Sequence, residues 1–314
     1  MKPRDRQRGL RLATELQRID AHVLQLPGIH PPGHLDCLVE QLVESLRRIE
    51  FVHWVRDNPH DLRRMDPHSD LFDPLRAAAL RFRRGEFDEA YWLTFIATHF
   101  GKHARDGWRL ARDIYGKLGG PGLWDWKTIS GNPAAFRVWL KANESRLSGG
   151  DGVSRRFSNH RKYESLKASS RAGTAAVFDS YVQWVRPPRT HQDLIREVHK
   201  LVGQNPQEVF NHLYHQMNAV RRFGRLAKFD YLTMLGKLGI APIDPGSAYL
   251  GEATGPLRGA RLLFTGNVSS AISGKSLDQR LLNLDSHLNL GMQTLEDAIC
   301  NWQKSPAKFI SFKG

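Results

Sequence analysis

Cysteine is nearly absent: Cys37 and Cys300 are the only two in 314 residues, and neither belongs to a CxxC pair. That excludes a disulfide scaffold and a cysteine-ligated zinc or iron–sulfur site. No apolar run approaches the ~18 residues a membrane span requires. Strand-like alternation is scarce, and there is no internal repeat or low-complexity tract. The first twenty residues, MKPRDRQRGLRLATELQRID, are too charged for a signal peptide, so a cytoplasmic protein is expected. Acidic residues also run short, with 32 Asp and Glu against 46 Lys and Arg, a formal charge of +14. Such an imbalance suits a polyanionic partner, nucleic acid first, with a ribosomal or membrane-surface role also compatible with the charge. What is abundant is aromatic: eight Trp and fifteen Phe speak for a shaped core with a specific site.

Helical periodicity dominates what remains. Residues 8–26 predict an amphipathic helix with Leu10, Leu12, Leu16, Ile19, Val23 and Leu26 inward, ended by Pro27. A second helix is expected over 35–56 and a third over 70–84, where Asp73-Pro74 fits an N-cap followed by proline at the first helical position. An aromatic segment covers 86–118, and GGPG at 119–122 makes a turn. The Gly-rich stretch RLSGGDGVSRR at 146–156 reads as a boundary between an N-terminal helical lobe, 1–150, and a C-terminal helical lobe, 151–314. Further helices are expected over 175–185, 190–220 with a break at Asn205-Pro206, 221–239, 257–265 and 276–303. The expectation is an all-α protein of two lobes with a basic cleft between them.

The stretch from Arg221 to Gly239 is the anomaly. Wound at 100° per residue, it gathers Phe223, Leu226, Ala227, Met234, Leu235 and Leu238 in one apolar arc around Asp230. Arg221, Arg225 and Lys228 fall on the far side, and Arg222 adds a fourth cation. A carboxylate facing inward must be hydrogen-bonded, ion-paired or held with a raised pKa. Asp230 is therefore either a structural residue that caps a neighbouring backbone or pairs with an arginine, or a catalytic or substrate-binding carboxylate.

A second basic segment, 146–171, holds seven Lys and Arg against two acids. Within it Phe157, Asn159, His160, Tyr163 and Glu164 are interleaved with Arg155, Arg156, Arg161 and Lys162. Aromatic rings can stack on an extruded base, an amide can read its edge, and the cations can hold flanking phosphates. A solvated basic linker is the plainer alternative.

Other motifs fail on inspection. Gly274-Lys275-Ser276 resembles the end of a P-loop, but position 269 is Ser269 where that motif needs glycine. His99 and His103 have i, i+4 spacing but no HExxH glutamate and no third ligand, so no metal is expected, nor any cofactor. His212 and His215 read as polar helix positions. The turn-rich linker over 240–256 is longer than a helix-hairpin-helix turn, and Asp278 and Asp285 beyond it are either catalytic or capping.

Five strings, EAYWLTFIATHFGKH (89–103), FSNHRKYESL (157–166), FGRLAKFDYLTMLGKLG (223–239), GPLRGARLLFTG (255–266) and GMQTLEDAICNWQKSP (291–306), resemble the alpha-glutamyl/putrescinyl thymine pyrophosphorylase family, clade 3. The likeness covers most of the chain from about residue 50 onward. It implies work on hypermodified pyrimidines of phage DNA and an α-helical fold shared with DNA glycosylases. The chain is also similar to bacterial anti-phage DNA glycosylases that excise glucosylated hydroxymethylcytosine. Neither resemblance assigns a role to any residue here.

Together these readings lead to an expected DNA glycosylase for a bulky modified pyrimidine, acting in phage defence. Asp230 is the first candidate for the catalytic carboxylate and Glu164 the second; Phe157, Asn159, His160 and Tyr163 would contact the base. Arg155, Arg156, Arg161, Lys162, Arg221, Arg222, Arg225 and Lys228 would contact the double-stranded DNA, and Lys162 is the candidate nucleophile if lyase chemistry operates. The alternatives are a transferase that builds a hypermodified thymine by displacing pyrophosphate with an amine, and a DNA-binding protein without catalysis.

Overall fold

The computed structural model describes residues 2–311. Among these, the chain forms fourteen α-helices and no strand, so the protein is all-α. In order they are α1 (Arg6–His22), α2 (His34–Asp57), α3 (Pro74–Arg83), α4 (Phe87–Phe100), α5 (Arg109–Tyr115), α6 (Trp126–Gly131) and α7 (Pro133–Ser145). There follow α8 (Thr174–Val185), α9 (His191–Val202), α10 (Pro206–Gln216), α11 (Arg225–Lys237), α12 (Gly255–Thr265), α13 (Gly274–Leu288) and α14 (Met292–Trp302). None of the described helices is long and apolar enough to cross a membrane.

Contacts group the chain into two compact units. One joins the chain up to Phe51 with the chain from Pro245 onward; the other runs from Val52 to Asp244. The Gly-rich stretch 146–156 lies inside the second unit.

The split unit is held by one aliphatic core. Leu12, Leu16 and Ile19 of α1, spaced for one helix face, pack with Leu38 and Leu42, Leu262 and Leu263, Leu277 and Leu281, and Ile299 and Trp302. Leu10 and Val23, expected inward, are exposed instead. Leu10 lies roughly 160° around the helix from the Leu12–Leu16–Ile19 stripe, so burying it would turn that stripe outward. Helices α12 and α14 approach so closely that a Cβ on Gly259 would lie 2.2 Å from the Ile299 carbonyl oxygen. The single helix expected over 276–303 is two. Asp285 Oδ1 accepts from the Leu290 and Gly291 N–H groups at 2.8 and 2.9 Å, and Asn289 and Gly291 take positive φ to make the break.

The middle unit is built around rings. Phe95 of α4 stacks on Tyr181 of α8 with centroids 3.8 Å apart and on Phe223 at 4.7 Å. Trp92 meets Phe178 edge-on at 4.8 Å, and Phe136 of α7 stacks on the same ring at 4.7 Å. Such contacts add ~0.5–1.5 kcal/mol each beyond area burial. The helix starts follow their capping residues: Asp73 accepts from Leu75 and Arg76 N–H, and Thr190 with Asp193 forms a reciprocal capping box ahead of α9.

Candidate functional site

Helix α11 begins at Arg225, four residues later than the periodicity suggests, because Arg222 takes φ +62° and Gly224 is the N-cap. It is buried nearly all round: Ala227, Lys228, Phe229, Tyr231, Leu232, Thr233 and Leu235 are all inside. The one open stripe carries Leu226, Asp230, Met234 and Lys237, which are exposed or half-buried. The apolar arc expected from the sequence is largely inside, with Phe223, Ala227, Leu235 and Leu238 buried, but Leu226 beside Asp230 is exposed. Of the cations expected on the outer side, Lys228 is buried instead, its Nζ donating to Asn218 Oδ1 at 2.6 Å over the Tyr214 ring.

Asp230 itself keeps 43% of its side chain exposed. Its pKa is nevertheless raised, first by desolvation, against the lowering influence of Arg161, His160, Arg225 and Lys237. Neighbouring atoms crowd the carboxyl enough to disfavour its charge, while solvent still reaches part of it. An acid so placed, with four cationic or ionisable groups around it, has the setting of a functional carboxylate.

Its partner comes from the basic segment. Arg161 Nη2 donates to Asp230 Oδ2 at 3.2 Å, while Nε donates to the Thr98 carbonyl at 2.9 Å, which fixes the guanidinium plane. Burial holds the Arg161 pKa below its ordinary value against the pull of Asp230 and Glu164. Both members thus shift in the direction burial dictates. Gly101 at φ +64° allows the close approach of Ser158, whose N–H donates to the Phe100 carbonyl at 2.9 Å. Behind this lies His99, fully buried, hydrogen-bonded to Thr174 Oγ1 at 3.1 Å and pushed down to about 3 by burial. It is a neutral core group.

The remaining candidates separate into three settings. Glu164, second choice for catalysis, has only 9% of its side chain exposed and is clasped by Arg222 at 3.3 and 3.4 Å; Arg222 also donates to the Tyr163 carbonyl at 3.1 Å. Arg155 is 4% exposed and spends its guanidinium on Asp113 and Asp151, while Arg156 is paired with Asp106 at 2.8 and 2.9 Å. Phe157, Asn159 and Lys162 line a cavity of about 380 Å³ with His103, Arg155 and Arg156. The segment thus presents two faces, His160 and Arg161 toward Asp230 and Phe157, Asn159 and Lys162 toward this cavity. Tyr163 is exposed, and Arg221 donates to the Arg171 carbonyl at 3.2 Å.

Asp278 and Asp285 have backbone-holding roles: Asp278 Oδ2 accepts from Leu250 N–H at 3.0 Å, and Asp285 makes the break before α14. His215 Nδ1–H donates to the Asn211 carbonyl at 2.8 Å, a local bond along its own helix. Among the described residues no group of three His, Cys, Asp or Glu side chains is arranged to hold a metal ion.

Two polar clusters of the middle unit have no counterpart in the sequence reading. Glu89 lines a cavity of about 460 Å³ with Glu86, Asp88, Asp125 and Trp126. It accepts from Tyr115 OH at 2.6 Å and Trp126 N–H at 2.7 Å, and desolvation pushes its pKa up to about 7. Beside it, Asp88 Oδ1 bonds His191 Nδ1 at 2.6 Å, His191 Nε2 meets Tyr181 OH at 2.8 Å, and Tyr181 OH meets Tyr231 OH at 2.7 Å. Burial lowers the His191 pKa, so the ring is neutral with its proton on Nδ1 toward Asp88. Tyr181 must then donate to Nε2, and Tyr231 to Tyr181. One signal was present in the sequence: charged Asp88 and Glu89 open a helix that is otherwise apolar and aromatic.

Residues 33–314 match the model of a family described as alpha-glutamyl/putrescinyl thymine pyrophosphorylase clade 3. No curated protein and no solved structure matches the chain.

Proposed function

The chain belongs to the alpha-glutamyl/putrescinyl thymine pyrophosphorylase clade 3 family, and from that premise we propose an enzyme that excises a bulky modified pyrimidine from duplex DNA. The family name ties the chain to modified thymine, and the surplus of cations suits a DNA substrate. The observation that carries the reading is the half-exposed carboxyl of Asp230 with an anchored arginine bonded to it and a raised pKa.

In this reading Lys162, Arg221 and Arg225 contact phosphates, and the target nucleotide turns out of the stack. His160, on the Asp230 face of the segment, contacts the base or its sugar. The glycosidic bond breaks with its electron pair leaving on the base, and ionised Asp230 faces the positive charge that develops on the sugar. Water then attacks the anomeric carbon, its proton passing to the carboxylate, and an abasic site remains. Arg161, fixed by the Thr98 carbonyl, keeps the carboxylate aimed. The substrate proposed is the glucosylated hydroxymethylcytosine of phage DNA, encountered in the cytoplasm as a phage genome enters.

The word pyrophosphorylase in the family name favours a second reading, displacement of pyrophosphate from an activated thymine by an amine. One experiment separates the two. Duplexes carrying either glucosylated hydroxymethylcytosine or a pyrophosphate-activated hydroxymethyluracil are incubated with pure protein, then treated with alkali or assayed for pyrophosphate. Strand cleavage at the first supports excision. Pyrophosphate release from the second in the presence of an amine, with the first intact, replaces it. Asp230→Asn is expected to lower excision on the order of 10²-fold or more; full activity in that variant removes Asp230 from the mechanism.

A further inference from the structure

Tyr163 is the most exposed of the large apolar side chains among the described residues, at 78%. Its ring has no aromatic neighbour and its hydroxyl no hydrogen bond; only the Lys162 ammonium stands near it, 5.2 Å from the ring centroid. The backbone that carries the ring is held by several bonds. The Ser158 N–H is bonded to the Phe100 carbonyl, and the Glu164 N–H to the Arg161 carbonyl at 2.9 Å. Arg161 is tied to Thr98 and Asp230, and the Tyr163 carbonyl is held by Arg222. Arg222 does so from a left-handed backbone conformation, at φ +62°, which a non-glycine residue adopts at a cost. Thr174 N–H, bonded to the Ser165 carbonyl at 2.8 Å, closes the far side.

A projecting ring on a fixed base, two residues from the arginine that holds Asp230, loses little conformational freedom when it inserts between flat partners. The partner is chosen by charge. Lys162 stands over the ring and Arg222 is bound at the Tyr163 carbonyl, so a flat, anionic polymer fits, and stacked bases flanked by phosphates are that polymer. The ring does not belong to the cavity lined by Phe157, Asn159 and Lys162, so it is not a wall of a base pocket there.

We infer that Tyr163 is a wedge: its ring enters the base stack beside the nucleotide turned toward Asp230 and fills the gap that nucleotide leaves. The inference rests on the DNA-base reading above. Tyr163 is thus a positioning residue, touching the neighbours of the target.

The test uses the full chain and two short duplexes, one fully paired and one with a tetrahydrofuran abasic analogue, each with 2-aminopurine beside the central position. Wild-type protein is expected to bind the abasic duplex roughly tenfold more tightly than the paired one and to change 2-aminopurine fluorescence severalfold. Tyr163→Ala loses both the preference and the fluorescence change while binding the paired duplex within about twofold of wild type and unfolding at the same temperature. Tyr163→Phe and Tyr163→Trp keep both. A Tyr163→Ala protein that retains preference and fluorescence change overturns the wedge. Wild-type protein that binds both duplexes equally, with no fluorescence change, also overturns it and leaves DNA binding standing. Wild-type protein that binds neither duplex removes the DNA reading, and the wedge with it.

Discussion

Replacing Glu89 with glutamine should make the protein more resistant to alkaline pH. In the folded chain the Glu89 carboxyl is pushed from its ordinary 4.5 up to about 7 by burial, despite bonds from Tyr115 and Trp126 that favour the ionised form. A folded-state pKa above the unfolded one means the native protein holds the proton longer. The associated stability is complete below about pH 4.5 and is lost as pH rises through about 7. At about 1.4 kcal/mol per pH unit, the loss amounts to at most about 3 kcal/mol by pH 8. Glutamine imitates the protonated acid: its carbonyl can accept from Trp126 N–H while its amide donates to the Tyr115 oxygen. Glu89→Gln should therefore match wild type near pH 4.5 and exceed it by about 3 kcal/mol at pH 8, roughly 6–12 °C in midpoint temperature. Urea unfolding of both proteins across pH 4.5–8 measures this directly, because every other titrating group is common to the pair. Parallel stability–pH curves for wild type and variant would refute the buried-acid account of Glu89.

The proton order in the chain Asp88–His191–Tyr181–Tyr231 ranks two variants: Tyr181→Phe strands the His191 Nε2 acceptor and the Tyr231 hydroxyl together and should cost about 2–4 kcal/mol, whereas Tyr231→Phe removes only the last donor and should cost about 1 kcal/mol. Equal losses in chemical denaturation would mean the donors run the other way. Gly259→Ala would press a methyl into the Ile299 carbonyl and should cost about 1–3 kcal/mol, while Gly131→Ala, with nothing within 4 Å, should change the thermal midpoint little. Lys228→Ala should weaken folding and leave the salt dependence of DNA binding unchanged, since Lys228 is buried against Asn218 and Tyr214. Arg225→Ala should instead reduce the log–log salt slope by about 0.9. A slope lowered by Lys228→Ala at intact stability would contradict the burial.

Local signals carried most of the helix inventory. Asp73-Pro74, Thr190 with Asp193, and Asn205-Pro206 mark helix starts through bonds made within three residues, so no tertiary information is needed to read them. The break at Asn289–Gly291 escaped because it depends on Asp285 turning its carboxylate onto backbone ahead of it, which an uninterrupted apolar period conceals. Around α11 periodicity was right for Phe223, Ala227, Leu235 and Leu238, which are buried, and wrong for exposed Leu226 and buried Lys228. A period of 3.6 finds the more apolar arc, but a helix buried on nearly every side has no outer arc to find, and its least buried stripe is set by what neighbouring elements leave uncovered. Asp230 was legible as an anomaly, and the pairing with Arg161 was not, since 69 residues separate them. Glu89 and the His191 relay join α4, α5, α6, α8, α9 and α11, and only the folded chain puts those residues together.

The discontinuous unit fixes an order of events during synthesis. Its core needs Leu12 and Leu38 from the beginning of the chain and Leu262, Leu281 and Ile299 from near the end, so the first helices leave the ribosome long before their partners exist. The run from Val52 to Asp244 emerges whole in between and has its own aromatic core to close. The segment of α1 and α2 is accordingly buried after the middle unit can close, and its apolar face is open to chaperones and proteases in the interval. A nascent chain stalled before Gly255 should yield a protected middle fragment and a cleavable leading one.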